Sequence, residues 1–134
     1  MEVMVETCCG IDVHQKSIVC CILDGPLDTN TPKKQHRTFG TTTKKLREAL
    51  AWIQSQNVTH VFFESTGQYW IPIFNIFYDS NLTLILANPQ HIKNLPGKKT
   101  DMNDAEWIAQ LGRCGLIDPS YIPCEEVQQL RLLT

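Results

Sequence analysis

Four acids in this chain stand where carboxylates could work together: Asp12, Glu64, Asp101 and Asp104. Asp12 lies between Ile11 and Val13 in an apolar run, where a carboxylate is costly to bury unless it is paired or holds a cation. Glu64 closes the run Val61-Phe62-Phe63. Asp101 and Asp104 are three residues apart, a spacing that lets both face one way at the start of a helix. Four clustered carboxylates repel one another without cations, and an all-oxygen set suits Mg²⁺ or Mn²⁺. Two such ions, about 3.5–4 Å apart, can clamp the attacking and leaving oxygens of a phosphodiester. Lys98 and Lys99, just ahead of Asp101, are placed to hold the phosphates of a substrate. Each acid also has a plainer reading. Asp12 can serve a turn and Glu64 can be a solvated strand end. Asp101 and Asp104 suit a helix N-terminus, with Asp101 as its cap. The conjunction of all four with the order of the elements favours a shared site.

Those elements can be read from pattern. Residues 7–13 form a strand carrying Asp12, and 17–23, rich in Ile, Val and Cys, form a second one. The short polar gap His14-Gln15-Lys16 makes them an antiparallel hairpin. Gly25, Pro26, Asn30 and Pro32 mark a loop, and 35–39 suggest a third strand. Thr42 or Thr43 caps a helix through about Gln56, with Leu46, Leu50 and Ile53 as its apolar stripe. Residues 58–64 read as a fourth strand, 69–78 as a helix with Pro72 early, and 82–87 as a fifth strand. A loop spans 90–100 with Lys93, Lys98 and Lys99, and a third helix runs from about Asp101 to Gly115. The order β-β-β-α-β-α-β-α predicts an α/β protein with a mixed five-stranded sheet flanked by helices. Strand ends and a helix start then converge on one sheet edge, where ligands usually bind. Residues 1–118 are expected to make up this domain, and 119–134 are expected to begin a connecting helix toward a C-terminal domain.

The bulk properties fit one packed domain: 134 residues, 43% hydrophobic and 19% charged. A net charge of -2 argues against indiscriminate coating of nucleic acid. The charge is unevenly spread, because Lys33, Lys34, Arg37, Lys44, Lys45 and Arg47 hold half of the 12 Lys and Arg with no acid among them. That stretch reads as a solvated surface or as a patch facing phosphates. Cys8, Cys9, Cys20, Cys21, Cys114 and Cys124 lack zinc-site spacing and are expected as small buried hydrophobes in a reducing compartment. His14, His36, His60 and His91 are scattered and suggest no ligand set, and Trp52, Trp70 and Trp107 read as core. No signal-peptide pattern and no membrane-spanning apolar run stands out, so a cytoplasmic protein with no membrane partner is expected.

The segments Gly10-Ile11-Asp12-Val13-His14 with Lys16, Glu64-Ser65-Thr66-Gly67 with Tyr69-Trp70, Asn88-Pro89, and Lys99-Thr100-Asp101-Met102-Asn103-Asp104-Ala105 occur in that order. Together they resemble the Piv-type DNA invertase and insertion-sequence transposase family, whose N-terminal domain is of the ribonuclease H/RuvC type with a DEDD tetrad. The resemblance covers about residues 8–115. It implies that Asp12, Glu64, Asp101 and Asp104 ligate two Mg²⁺ or Mn²⁺ ions. It also implies transposition or site-specific recombination of mobile-element DNA by a homo-oligomer, in some relatives directed by an element-encoded guide RNA. In this family a C-terminal domain supplies a serine nucleophile, so residues 1–134 alone are expected to be inactive. Three other readings stand beside it: a Holliday-junction-type nuclease that uses water, an actin-like phosphotransferase reading 10–16 as a phosphate loop, and a silent nucleic-acid-binding domain.

Overall fold

The computed structural model describes residues 5–26, 32–64, 68–78, 80–88, 90, 92, 95–98 and 102–117. Strands β1 (Thr7–Val13), β2 (Ser17–Asp24) and β3 (Lys33–Gly40) come first. They are followed by α1 (Thr43–Ser55), β4 (His60–Glu64), α2 (Ile71–Phe77), β5 (Thr83–Ala87) and α3 (Asp104–Arg113). The five strands form one sheet in the order β3-β2-β1-β4-β5. β1 is antiparallel to β2, and β2 to β3, whereas β4 runs parallel to both β1 and β5. The expected mixed sheet with flanking helices is therefore what the chain forms.

Period-two alternation sends successive side chains of each strand to opposite faces. Cys9, Ile11 and Val13 of β1 join Ile18, Cys20 and Ile22 of β2 and Val61 and Phe63 of β4, under Leu46, Ala49 and Ile53 of α1 and Ile73 and Phe77 of α2. On the other face Cys8, Cys21, Leu23 and Phe62 pack against Ala105, Trp107, Ile108, Ala109 and Leu111 of α3. The adjacent cysteines split between the two cores as expected. Burial pushes the Cys8 and Cys21 thiols up to about 12, so they behave as hydrophobes. Trp107 is buried, and Trp52 and Trp70 are partly buried against the α1/α2 core.

Two glycines set how close α3 lies to the sheet. A Cβ on Gly10 would stand 2.3 Å from the Ala105 carbonyl oxygen and 2.5 Å from the Ala109 nitrogen, and one on Gly112 would stand 2.3 Å from the Phe62 ring. Only hydrogen at those α-carbons lets helix and strand approach this far. At the far end of α3, buried Arg113 donates to the Gly25 and Pro26 carbonyls at 2.8 and 3.0 Å, tying the helix to the end of β2.

Beyond shifts of one or two residues at β2, β4, α2 and β5, boundaries differ from expectation in three places. β3 is longer, Lys33–Gly40, because ladder hydrogen bonds to β2 rather than apolar pattern define it. Gln90 and Ile92 are helical where a loop was expected, with the Asn88 side chain accepting from the Gln90 N–H at 2.9 Å. Helix α3 starts at Asp104, not Asp101: Asn103 is its cap, and its side-chain oxygen accepts from the Glu106 N–H at 2.8 Å. The expected helix within 119–134 lies outside the described residues.

Candidate carboxylate site

Asp12 and Glu64 are direct register partners on the parallel pair β1 and β4. Facing residues of paired strands project to the same side. Asp12 follows Gly10 by two and Glu64 follows Phe62 by two, so both carboxylates lie on the α3 face. They stand at the carboxyl ends of their strands, at the edge where β1 leads to β2 on one side and borders β4 on the other. This is the switch point at which open α/β sheets bind ligands. The Gly10 contact then lowers the first turn of α3 over β1 and brings Asp104 to this edge.

The charges along this edge act on Asp12. Burial pushes the Asp12 carboxyl above its ordinary value. The Asp104 charge raises it further, while His14 and Lys98 pull it down. Asp12 is only 15% exposed, and its Oδ2 lies 3.0 Å from His14 Nε2. Asp104 is 59% exposed and is bound by the Lys98 ammonium. Glu64 is half-buried. Among the described residues no three His, Cys, Asp or Glu side chains close into a metal-holding group. Asp101 and Lys99 lie outside the described residues. The structure thus pairs Asp12 with Glu64 on adjacent strands and sets Asp104, with Lys98 bound to it, close enough for both charges to act on Asp12.

The basic stretch does not gather in the same way. Gly40 pairs with Ser17 at the site edge, while Lys33 pairs with Asp24 at the opposite end of the sheet. Lys34 projects to the α3 face, 3.1 Å from the buried Glu106 carboxylate. Arg37, an odd number of residues away, projects to the other face, 5.0 Å from the Phe39 ring centroid and 5.4 Å from that of Trp52. Lys44 and Lys45 lie in the first turn of α1, near the site edge, with Lys45 3.4 Å from Glu48. Two charged contacts, one at the site and one away from it, escaped the sequence reading. His14 was one of four scattered histidines, although its i+2 relation to Asp12 at a strand end was a usable signal. Glu106 carried none, since its burial follows from the packing of α3 on the sheet.

Two structures of RuvC from Thermus thermophilus share this architecture. One, in complex with a Holliday junction substrate, is 9% identical with a TM-score of 0.60, covering 86% of this chain and 99% of that one. The other is 11% identical with a TM-score of 0.53, covering 93% and 89%. A fowlpox virus resolvase bound to Holliday junction DNA is 22% identical with a TM-score of 0.48, covering 70% and 65%. The two RuvC likenesses show a RuvC-like fold. Among curated proteins nothing matches. Residues 9–134 match the DEDD transposase family of IS110 type, and the chain belongs to that family.

Proposed function

We propose that Asp12, Glu64, Asp101 and Asp104 form the catalytic carboxylate site of a DNA transposase or site-specific recombinase, carried by residues 1–118 and acting on mobile-element DNA. One observation carries the reading: Asp12 and Glu64 are register partners on adjacent parallel strands, beneath the helix start that bears Asp104. Family membership and the RuvC-like fold support it.

The donor set fits divalent cations. Asp12 is a poorly solvated carboxylate whose charge is opposed both by burial and by Asp104, a conflict that a bound cation relieves. When bound, Mg²⁺ or Mn²⁺ would supply electrostatic stabilisation to a phosphodiester undergoing displacement. The chain's own residues do the rest. Asp12, Glu64, Asp101 and Asp104 hold the cations, and Lys98 and Lys99 orient the phosphate backbone. Lys44 and Lys45, in the first turn of α1, extend the positive surface along the same edge. The resemblance assigns the nucleophile to a serine of another domain, so these residues prepare the phosphate for a nucleophile from outside 1–134.

The test is a Mg²⁺-dependent cleavage and strand-joining assay on duplex and branched DNA. It compares residues 1–134 with the longest reading frame that contains them. The longer protein should be active, and Asp12→Asn, Glu64→Gln, Asp101→Asn and Asp104→Asn should each lower its rate by about 10³-fold or more. Robust cutting of branched DNA by residues 1–134 alone would replace this reading with a water-using, junction-type nuclease.

A further inference from the structure

The DEDD reading counts oxygen ligands only. The structure places a nitrogen donor beside one of them. We propose that His14 ligates the same ion as Asp12, and that its imidazole makes this position favour first-row transition-metal ions over Mg²⁺.

Three observations carry the proposal, which rests on the carboxylate site described above. The first is distance. His14 Nε2 and Asp12 Oδ2 are 3.0 Å apart. Neighbouring ligand atoms on an octahedral ion with bonds of about 2.1 Å stand about 3.0 Å apart, so one ion can bridge this pair without moving either side chain far. The second is placement. The His14 main-chain N–H donates to the Ser17 carbonyl at 2.9 Å, closing the turn between β1 and β2. That bond fixes the His14 backbone just past β1, and the ring returns to Asp12 on the α3 side. The third is access. The His14 side chain is 56% exposed, so an incoming ion meets the ring before the more deeply set carboxylate. In the neutral imidazole the proton can sit on Nδ1, which leaves the Nε2 lone pair for the ion. Imidazole nitrogen suits Co²⁺, Ni²⁺ and Zn²⁺ better than Mg²⁺, which prefers oxygen.

The test is metal titration of the 134-residue chain with Mg²⁺ and with Co²⁺, read by calorimetry and, for Co²⁺, by its visible absorption. The proteins are wild type, His14→Gln, His14→Ala and Asp12→Asn. Glutamine keeps a side-chain amide donor for Asp12 but removes the ring nitrogen. Wild type should prefer Co²⁺. His14→Gln and His14→Ala should each weaken Co²⁺ binding by about tenfold, leave Mg²⁺ within about twofold, and alter the Co²⁺ absorption bands. An equal loss for both ions, or a His14→Gln protein indistinguishable from wild type, overturns the ligand assignment while leaving the carboxylate site standing. Failure of wild type to bind either ion removes the carboxylate site and this proposal together. Melting in EDTA shows whether the variants fold, and the His14→Gln midpoint should match wild type because the residue lies on an exposed turn.

Discussion

The two faces of this sheet are built to different rules. Under α1 and α2 the fully buried side chains from Cys9 to Phe77 are hydrophobic, with the Asn75 amide nitrogen of α2 the one buried polar side-chain atom without a partner among the described residues, and helix and sheet meet through ordinary side-chain packing. Under α3 the backbone of a helix rests on a glycine, and Glu106 and Arg113 are buried. Asp12 sits at the margin of that face with its charge opposed by burial. The first face holds the domain together. The second accepts close contact and costly charges so that a helix start can be lowered over two strand ends. Buried charge is concentrated on the α3 side: Glu106 pairs with Lys34, Arg113 donates to two carbonyls, and Asp12 alone of the three has its charge opposed chiefly by burial.

Neighbouring residues of one strand offer the sharpest way to break that comparison. Gly10 faces α3, and Ile11 faces α1 and α2. Gly10→Val should destabilise the chain by about 3 kcal/mol or more, because the added atoms meet helix backbone that cannot rotate away. Ile11→Val, on the conventionally packed face, should cost only about 0.5–1.5 kcal/mol. Urea denaturation of both variants checks the contrast. Similar costs would mean that α3 can lift from the sheet, and the closeness of Asp104 to Asp12 would lose its structural basis.

How much of this was legible depends on which forces acted locally. β1, β2 and β4 carry unbroken apolar runs, so their existence and the acids at their ends could be read directly. β3 is exposed over most of its length, with Phe39 buried and Gly40 partly so. Its ends were set by pairing with β2 and could not be read from apolar pattern. The start of α3 was expected with Asp101 as its cap, whereas Asn103 caps it; both residue types cap well, so local chemistry alone does not rank them. Closeness in sequence does not fix which way the basic residues point, since strand alternation separates Lys34 from Arg37. The contact between His14 and Asp12 depends on how the hairpin turn closes, which residue types do not specify.

A subtler test concerns the metal-free state. Because the native Asp12 value is raised, the folded chain holds that proton more tightly than the unfolded chain. The resulting stability is complete below the ordinary value of 3.8 and is lost as pH rises through the raised native value. At neutral pH the ionised Asp12 is then a net cost. Asp12→Asn, measured in EDTA at pH 7, should raise the melting midpoint by a few degrees, equivalent to about 0.5–1.5 kcal/mol. The gain should shrink as pH approaches 4. A midpoint lowered by the substitution would show that the His14 contact outweighs burial, and the two faces would then differ less than their charges suggest.

The smallest effect belongs to Lys98, the cation that the structure itself places against Asp104. Lys98 is 38% exposed and Asp104 59%, so their pairing is screened by solvent and worth no more than about 0.2–1 kcal/mol. A divalent ion approaching Asp104 must displace this ammonium. Lys98→Gln should therefore tighten Mn²⁺ binding about two- to fivefold while changing the stability of the metal-free chain by less than about 0.5 kcal/mol. Removing one positive charge would by itself favour a cation slightly, so Lys16→Gln on the nearby hairpin turn serves as the control and should change Mn²⁺ affinity less. If Lys98 also meets a phosphate, Lys98→Gln should weaken DNA binding and lower the slope of log affinity against log salt by about 0.7–0.9, the contribution of one phosphate contact. Opposite signs for metal and DNA would identify Lys98 as a counter-ion that metal releases toward the substrate. Weaker binding of both would make it a simple support for Asp104, and an unchanged metal affinity would show that the pair lies outside the space an ion occupies.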